Sequence, residues 1–365
     1  MDYLKNTPKF FLGANSPLGF FSLFDNLYDP EDGWFCYILK GGPGTGKSSL
    51  MKKIATHAIG RGIETELIYC PSDPDSLDAV IMNEKKISIV DGTAPHTMDP
   101  VYPGISDKIV NLGDFWDSDS ISAKRSEILN LSHKNLLFRT RAKGYLRAYR
   151  SIKNDIVNMT SCAVNRKKVR QYSRNLTKKL FKKISDVPGH EKVRFISAIT
   201  PYGVIFLEDT LTSICENLYI IDDDSGIIST IILNYVRQAA LSLGHNIITC
   251  YCPLDPKNKI ESLIFPDSRI AFTVSNTNHP LEHLKGSSRK INSKRFLDRK
   301  VLSSHSRLLT FDRKIERELL LEVIKNLNKS KYIHDEIENM YVPTMDFEGI
   351  NKLTKQLINE IMDIR

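Results

Sequence analysis

Residues 37–74 read YILKGGPGTGKSSLMKKIATHAIGRGIETELIYCPSDP, and residues 219–256 read YIIDDDSGIISTIILNYVRQAALSLGHNIITCYCPLDP. The two stretches align without a gap at a shift of 182 positions. Tyr37/Tyr219, Ile38/Ile220, Gly44/Gly226 and Gly62/Gly244 coincide, as do Tyr69-Cys70-Pro71/Tyr251-Cys252-Pro253 and Asp73-Pro74/Asp255-Pro256. Upstream, Ala14, Pro17 and Gly19 recur as Ala198, Pro201 and Gly203 at the nearby shift of 184. Downstream, Leu131-Ser132-His133 resembles Ser303-Ser304-His305 more weakly. A gapless repeat closed by the same YCPxDP is a duplication signal, and repeats bound the architecture before single elements do. The reading is two homologous halves, residues 1–188 and 189–365, meeting near Val187 to Lys192.

Each half alternates apolar strand runs with helix-period segments, which predicts an α/β fold of two P-loop-like halves with mostly parallel sheets. Phe35 to Leu39 is a short apolar run that breaks at glycines. In Ser48 to Ile59, Leu50, Ile54 and Ala58 fall on one helical face, and Gly60 and Gly62 stop that helix. Thr65 to Cys70 reads as the next strand and Ile87 to Val90 as the one after. Residues from about 122 to 184 lack strand runs and read as two long helices, a hairpin projecting from the sheet. Ile291 to Met340 is its expected counterpart, followed by a last helix from Phe347 to Met362.

Gly41-Gly42-Pro43-Gly44-Thr45-Gly46-Lys47-Ser48 fits GxxxxGK[ST] between an apolar strand and an amphipathic helix. Glycines let successive backbone N–H groups turn inward around phosphates. The helix that starts there, with Ser49 in its first turn, adds a positive N-terminal end. Lys47 is expected to neutralise the β- and γ-phosphates of a nucleoside triphosphate, with ATP the expected one, and Ser48 to ligate Mg2+. Ile87-Ser88-Ile89-Val90-Asp91 is the candidate Walker B strand, with Asp91 as the carboxylate that holds the magnesium through water; its plainer reading is a turn cap. ATP and Mg2+ are thus the expected cofactors.

Gly92 stands where many ATPases place a water-polarising glutamate, and no NKxD base-reading motif is present. The loop CPSDPDSLD offers Asp73, Asp75 and Asp78 where α/β sheets bind ligands. Asp73 has a twin, Asp255, in a half whose loop is altered, which favours a turn former; Asp75, opposite Lys257, is the better acidic candidate. His96 is a candidate γ-phosphate sensor. In the second half, Gly41 and Gly42 become Asp223 and Asp224, Gly46 becomes Ile228 and Lys47 becomes Ser229. Asp222-Asp223-Asp224 places carboxylates where phosphates would lie, so that half reads as a scaffold.

At YILKGGPGTGKSSLMKKI, CPSDPDSLD, IVDGTAPHTMDPVYPG and IVNLGDFWD the chain resembles a family of bacterial tandem P-loop proteins familiar from spore-forming Gram-positive bacteria. These are labelled ATPases or nucleotide-kinase-like. The resemblance spans essentially the whole chain and is strongest from Phe11 to Trp116. It implies a P-loop at Gly41–Ser48 and a family-typical DGTAPH run at Asp91–His96, and supplies no substrate. Members often keep a usable second P-loop; this chain departs from that at Asp223, Ile228 and Ser229.

The composition, 41% hydrophobic and 26% charged, is that of a globular protein. No apolar run reaches the roughly 18–20 residues that span a bilayer, and Met1 to Lys9 lacks a secretory plan, so a cytoplasmic location is expected. Six cysteines without CxxC spacing read as buried thiols. The net charge of +8 is uneven: residues 124–183 hold 18 Lys/Arg against Glu127 and Asp155, a local +16 that leaves −8 elsewhere. Arg139, Arg141, Arg147, Arg150, Arg166, Lys167, Lys168 and Arg170 in that run are candidate contacts for nucleic acid or another polyanion. A solvated helical face is the plainer reading, and Arg139 or Arg141 is a candidate arginine finger. Three functions follow: a slow ATPase whose nucleotide state moves the hairpin, a phosphotransferase with Asp75 or Asp73 as base, and a nucleotide-gated binding module without turnover.

Overall fold

The apolar run Phe35–Lys40 is a strand buried at Cys36, Tyr37, Ile38 and Leu39. It belongs to a computed structural model that describes residues 7–95, 97–281 and 287–363. His96 and most of the Met1–Lys9 segment lie outside the described residues. In chain order the first half forms β1 (Lys9–Phe10), the hairpin β2 (Gly13–Ser16) and β3 (Gly19–Ser22), and β4 (Phe35–Lys40). Then come α1 (Lys47–Gly60), β5 (Thr65–Tyr69), β6 (Leu77–Met82), β7 (Ile87–Asp91) and β8 (Asp107–Asn111). Three helices close it: α2 (Ser118–Ala123), α3 (Arg125–Ser161) and α4 (Arg166–Leu180).

The second half repeats the scheme. It forms β9 (Glu191–Arg194), the hairpin β10 (Ser197–Thr200) and β11 (Gly203–Phe206), α5 (Glu208–Ile214), β12 (Asn217–Asp222) and α6 (Ile227–Ser242). Next come β13 (Ile247–Cys252), β14 (Asp255–Phe265), β15 (Ile270–Ser275) and β16 (Ser287–Asn292). The chain ends with α7 (Arg299–Ser304), α8 (Ser306–Tyr341) and α9 (Phe347–Asp363).

The first sheet has the order β1-β5-β6-β7-β4-β8 and the second β9-β13-β14-β15-β12-β16. In both, the third strand of that order, β6 or β14, is antiparallel to its two neighbours, and every other adjacent pair is parallel. The duplicated layout expected from the sequence is therefore matched by strand order and strand sense. The sheets are mixed, and β6 is a strand that the expected pair at Thr65–Cys70 and Ile87–Val90 leaves out. All six residues of Leu77–Met82 are buried, so the run shows no alternation to mark it.

One face of each sheet meets the other in a shared core, in which Phe10, Ile38, Ile68 and Ile81 join Phe195, Ile248, Cys250 and Ile264. Phe11 and Phe195, 184 positions apart, exchange backbone hydrogen bonds of 2.8 and 2.9 Å across this seam. Burying an apolar face on another sheet is the ordinary way a sheet gains stability, at about 25 cal/mol per Å² of apolar surface removed from water. Beside the core, the buried Glu66 carboxylate binds Arg194 at 3.1 Å and Lys192 at 3.4 Å. Burial opposes its charge, but these two cations and Asn83 outweigh burial and hold its pKa at about 2.

The helices correct the expected hairpins. The chain from 122 to 184 does not fold back on itself; α3 runs antiparallel to α8 of the other half. Asn135 meets Ser330, Lys153 meets Glu316, and Ala142, Leu146 and Tyr149 pack with Leu320, Val323 and Leu327. α4 lies on α6 and contributes Val169 to the second sheet's outer core, with Phe181 beside it. α9 lies on α1 and contributes Leu357, Ile361 and Met362 to the first sheet's outer core. Each half thus lends its last helix to the other half and receives the other's in return. The reason is the direction of the apolar stripes, since those of α3 and α4 face different partners. Of the cysteines, Cys36, Cys215, Cys250 and Cys252 are buried as expected, whereas Cys162 is exposed. Among the described residues no helix is long and apolar enough to cross a membrane.

Candidate functional site

β4 ends at Lys40, and the chain turns through Gly41–Gly46 into α1. Gly44 and Gly46 take φ of +70° and +83°, the left-handed region that glycine enters without steric cost. Leu50, Met51, Ile54, Ala55 and Ala58 bury one face of α1 against the sheet, which fixes where its N-terminus points. β7 pairs directly with β4, so Asp91 lies opposite Leu39 and beside the loop. Lys47 Nζ donates to the Gly41 and Gly42 carbonyls at 2.8 Å each and stands 3.8 Å from the Asp91 carboxylate. Asp91 Oδ1 accepts from the backbone N–H and the hydroxyl of Thr93, and Ser48 Oγ accepts from Leu77 N–H at 3.0 Å. Among the candidates, Gly41 to Ser49 and Asp91 thus come together.

A cavity of about 910 Å³ opens above this loop. Asp73 and Asp78 line it, but Asp75 does not: its side chain is exposed and its carbonyl holds Lys52. Asp75 therefore lies apart from the other site candidates in the structure. It sits at the outer tip of the turn, where Asp73 accepts from Ser76 Oγ at 2.6 Å. Gly92 has no space for the absent glutamate, because a Cβ there would come within 2.4 Å of Ile38 Cγ2.

The far wall belongs to the long helices. From α3 come Arg139 and Lys143; from α8 come Lys331, His334 and Glu338. Burial lowers the Arg139 pKa, and its Nε donates to Ser330 Oγ at 3.3 Å with no carboxylate of the described residues paired to it. Arg141 instead is exposed and lies over the Phe138 ring. Glu338 Oε1 accepts from the Gly44 N–H at 3.2 Å, so a carboxylate of the second half rests on the glycine loop of the first. His334 lies 3.7 Å from that carboxylate; burial lowers its pKa, Glu338 opposes this, and Arg139 and Lys331 reinforce it.

The α8 residues carry no local motif and were missed in the sequence. The usable signal is the repeat. Lys331 reaches Asp73 at 3.5 Å and Arg150 reaches Asp255 at 3.9 Å. The twin aspartates thus each bind a cation from the other half's long helix. Their turns match as well, with Asn258 on Asp255 as Ser76 is on Asp73.

The second loop is built differently. Gly226 keeps the left-handed φ of +80° and α6 begins after it. Asp223 is buried and accepts from the Ser229 N–H at 2.8 Å, the Ser229 hydroxyl at 3.0 Å and the Ser225 hydroxyl at 2.7 Å. Ser229 stands where Lys47 stands in the first half. Lys259 of β14 crosses the loop so closely that a Cβ on Gly226 would lie 2.7 Å from its Nζ. Burial disfavours the Lys259 ammonium, yet Cys252 and the carboxylates of Asp223, Glu261 and Glu316 raise its pKa. Asp224 accepts from Thr277 N–H and Asp222 is exposed, so the three aspartates face three different ways. Comparison with protein-family models, curated proteins and solved structures returns no match.

Proposed function

We propose that this chain binds a nucleoside triphosphate, ATP by preference, as its magnesium complex over Gly41–Ser48, and hydrolyses it slowly. The observation that carries the reading is the convergence of Lys47, Ser48 and Asp91 on one cavity at a glycine loop that opens a helix. The residues present fit such a ligand. The loop N–H groups and the start of α1 favour an anion. Ser48 and Asp91 would hold the magnesium, which supplies charge neutralisation across the phosphates. Lys47, bonded to its own loop carbonyls, has an ammonium ready to exchange onto phosphate oxygens, and Arg139 brings a second cation from the opposite wall.

Slow turnover follows from the absence of space at residue 92 for a carboxylate that would polarise water. It also follows from Glu338, whose carboxylate competes with a phosphate for the Gly44 N–H. A ligand that displaces Glu338 acts on α8, and through α8 on α3, which is a route from nucleotide state to a partner. The same two observations favour a second reading, a nucleotide-gated module without turnover.

The test is phosphate release from magnesium-ATP, together with calorimetric ATP binding, for the unmodified chain and Lys47→Ala. Turnover that requires Lys47 supports the ATPase. Binding that requires Lys47 without turnover favours the gated module. Failure of the unmodified chain to bind ATP overturns both.

A further inference from the structure

The basic run of residues 124–183 is divided by the fold into two unlike sets. Of the α3 cations, Arg139, Arg150 and Lys153 are engaged within the molecule, as is Lys124 at the helix N-cap, whereas Arg125, Lys134, Arg141 and Arg147 are exposed. Lys124 donates to the Met340 carbonyl, Arg139 to Ser330, and Arg150 reaches Asp255. Lys153 pairs with Glu316 at 3.0 Å and donates to the Asp224 carbonyl. On α4, Arg166, Lys167, Arg170, Arg174, Lys178 and Lys179 are all exposed, and among the described residues none has a carboxylate partner.

We propose that the exposed face of α4 binds the phosphate backbone of a nucleic-acid duplex. Arg166, Arg170, Arg174 and Lys178 recur every four residues, so they form one row along roughly 18 Å of helix. Lys167 and Lys179 flank Gln171 and Asn175 in the adjacent row, which puts amides between cations. Cations fix a duplex by its phosphates, and amides suit base edges in a groove. The helix is held rigidly for this: Asn165 caps it at Lys168 N–H, and Val169, Ser173 and Thr177 are buried on the opposite side. Like charges at four-residue spacing repel, so the row costs helix stability unless a polyanion neutralises it. The adjoining turn extends the patch, because Arg295 and Lys294 are exposed there and Lys168 donates to the Arg295 carbonyl at 2.9 Å.

The surface also discriminates between polyanions. Single-strand binders use open aromatic faces as stacking platforms. Here Tyr172 is covered by the Arg295 guanidinium at 4.7 Å and packs on Phe296. No large apolar side chain is exposed within α4, so the helix has nothing to insert into a bilayer.

The experiment is fluorescence anisotropy of a labelled DNA duplex of about two helical turns, titrated with the full chain over a series of salt concentrations. The matching single strand and phosphatidylserine/phosphatidylcholine vesicles are run beside it. Duplex binding is expected to fall log-linearly with salt, by about 0.9 log units per log unit of salt for each phosphate engaged. Arg170→Glu/Arg174→Glu/Lys178→Glu should weaken it at least ~100-fold and flatten the slope by about three contacts. The neutral Arg170→Gln/Arg174→Gln/Lys178→Gln variant should act in the same direction with thermal melting unchanged or raised, which excludes misfolding. Lys47→Ala should leave duplex binding intact, so failure of the nucleotide reading does not carry over. No duplex binding at low salt overturns the proposal. So does tighter binding to the single strand, binding to vesicles alone, or an equal loss from Arg141→Glu/Arg147→Glu on α3.

Discussion

The loops at Gly41–Ser48 and Asp223–Thr230 share a place in the fold, a strand before, a helix after and a left-handed glycine, and differ in what satisfies the helix N-terminus. In the second loop the chain supplies its own anion: Asp223 accepts from the Ser229 N–H, and Lys259 lies across Gly226. In the first, the corresponding N-terminus opens on a cavity of about 910 Å³, and the carboxylate of Glu338 touches only Gly44 from across it. One loop is closed by the residue that directly follows its own strand, Asp223 after β12. The other is covered by a residue 294 positions away, on a separate helix. A covalently local anion is present at very high effective concentration and is not displaced; a distant one rests on tertiary packing and is displaceable.

The comparison breaks most severely if the body that holds both loops is loosened. Glu66→Ala leaves Arg194 buried without its partner and should cost about 3–5 kcal/mol in denaturant unfolding, affecting both halves together. The same pair sets an acid limit. Because the folded Glu66 pKa is depressed to about 2, its stabilisation is complete above the ordinary carboxylate value and is lost as pH falls toward 2. Glu66→Gln should show a smaller loss of melting temperature between pH 5 and pH 3 than the unmodified chain, roughly the window that linkage assigns to a shifted carboxylate.

Lys47→Ala acts on one loop alone. ATP affinity should fall by at least ~100-fold, about 3 kcal/mol, with thermal melting in the absence of nucleotide nearly unchanged. Asp223→Ala is the reciprocal change: stability should drop by about 1–2 kcal/mol as the α6 N-terminus loses its acceptor. Calorimetry should find no new nucleotide site there, and appearance of one would mean that Asp223 alone keeps the second loop closed. The smallest effect belongs to Glu338→Gln. It weakens the competitor at Gly44 and should raise ATP affinity by up to about tenfold, near 1.4 kcal/mol. An unchanged or lowered affinity would show that Glu338 does not compete with phosphate.

Much of this was legible in the linear chain. The glycine loop, its strand and helix, and the loss of Lys47 and three glycines in the repeat are local features. Local spacing carries them because phosphate cradles need particular backbone angles and donors within one turn. The sequence places Asp73, Asp75 and Asp78 in one loop without saying which face the cavity; Asp73 and Asp78 do, and Asp75 does not. β6 was missed because burial on both faces removes the alternation that marks a strand.

The sequence by itself determined that a stretch is written twice, that one copy matches GxxxxGK[ST] in full, and that the basic charge is concentrated in residues 124–183. Only the tertiary structure decided that α3 pairs with α8, which brings Lys331, His334 and Glu338 to the first loop. It also decided which cations are engaged inside the molecule and which face outward on α4. Helix partners are chosen by the fit of apolar stripes hundreds of residues apart, and that pairing has no local signature in the chain.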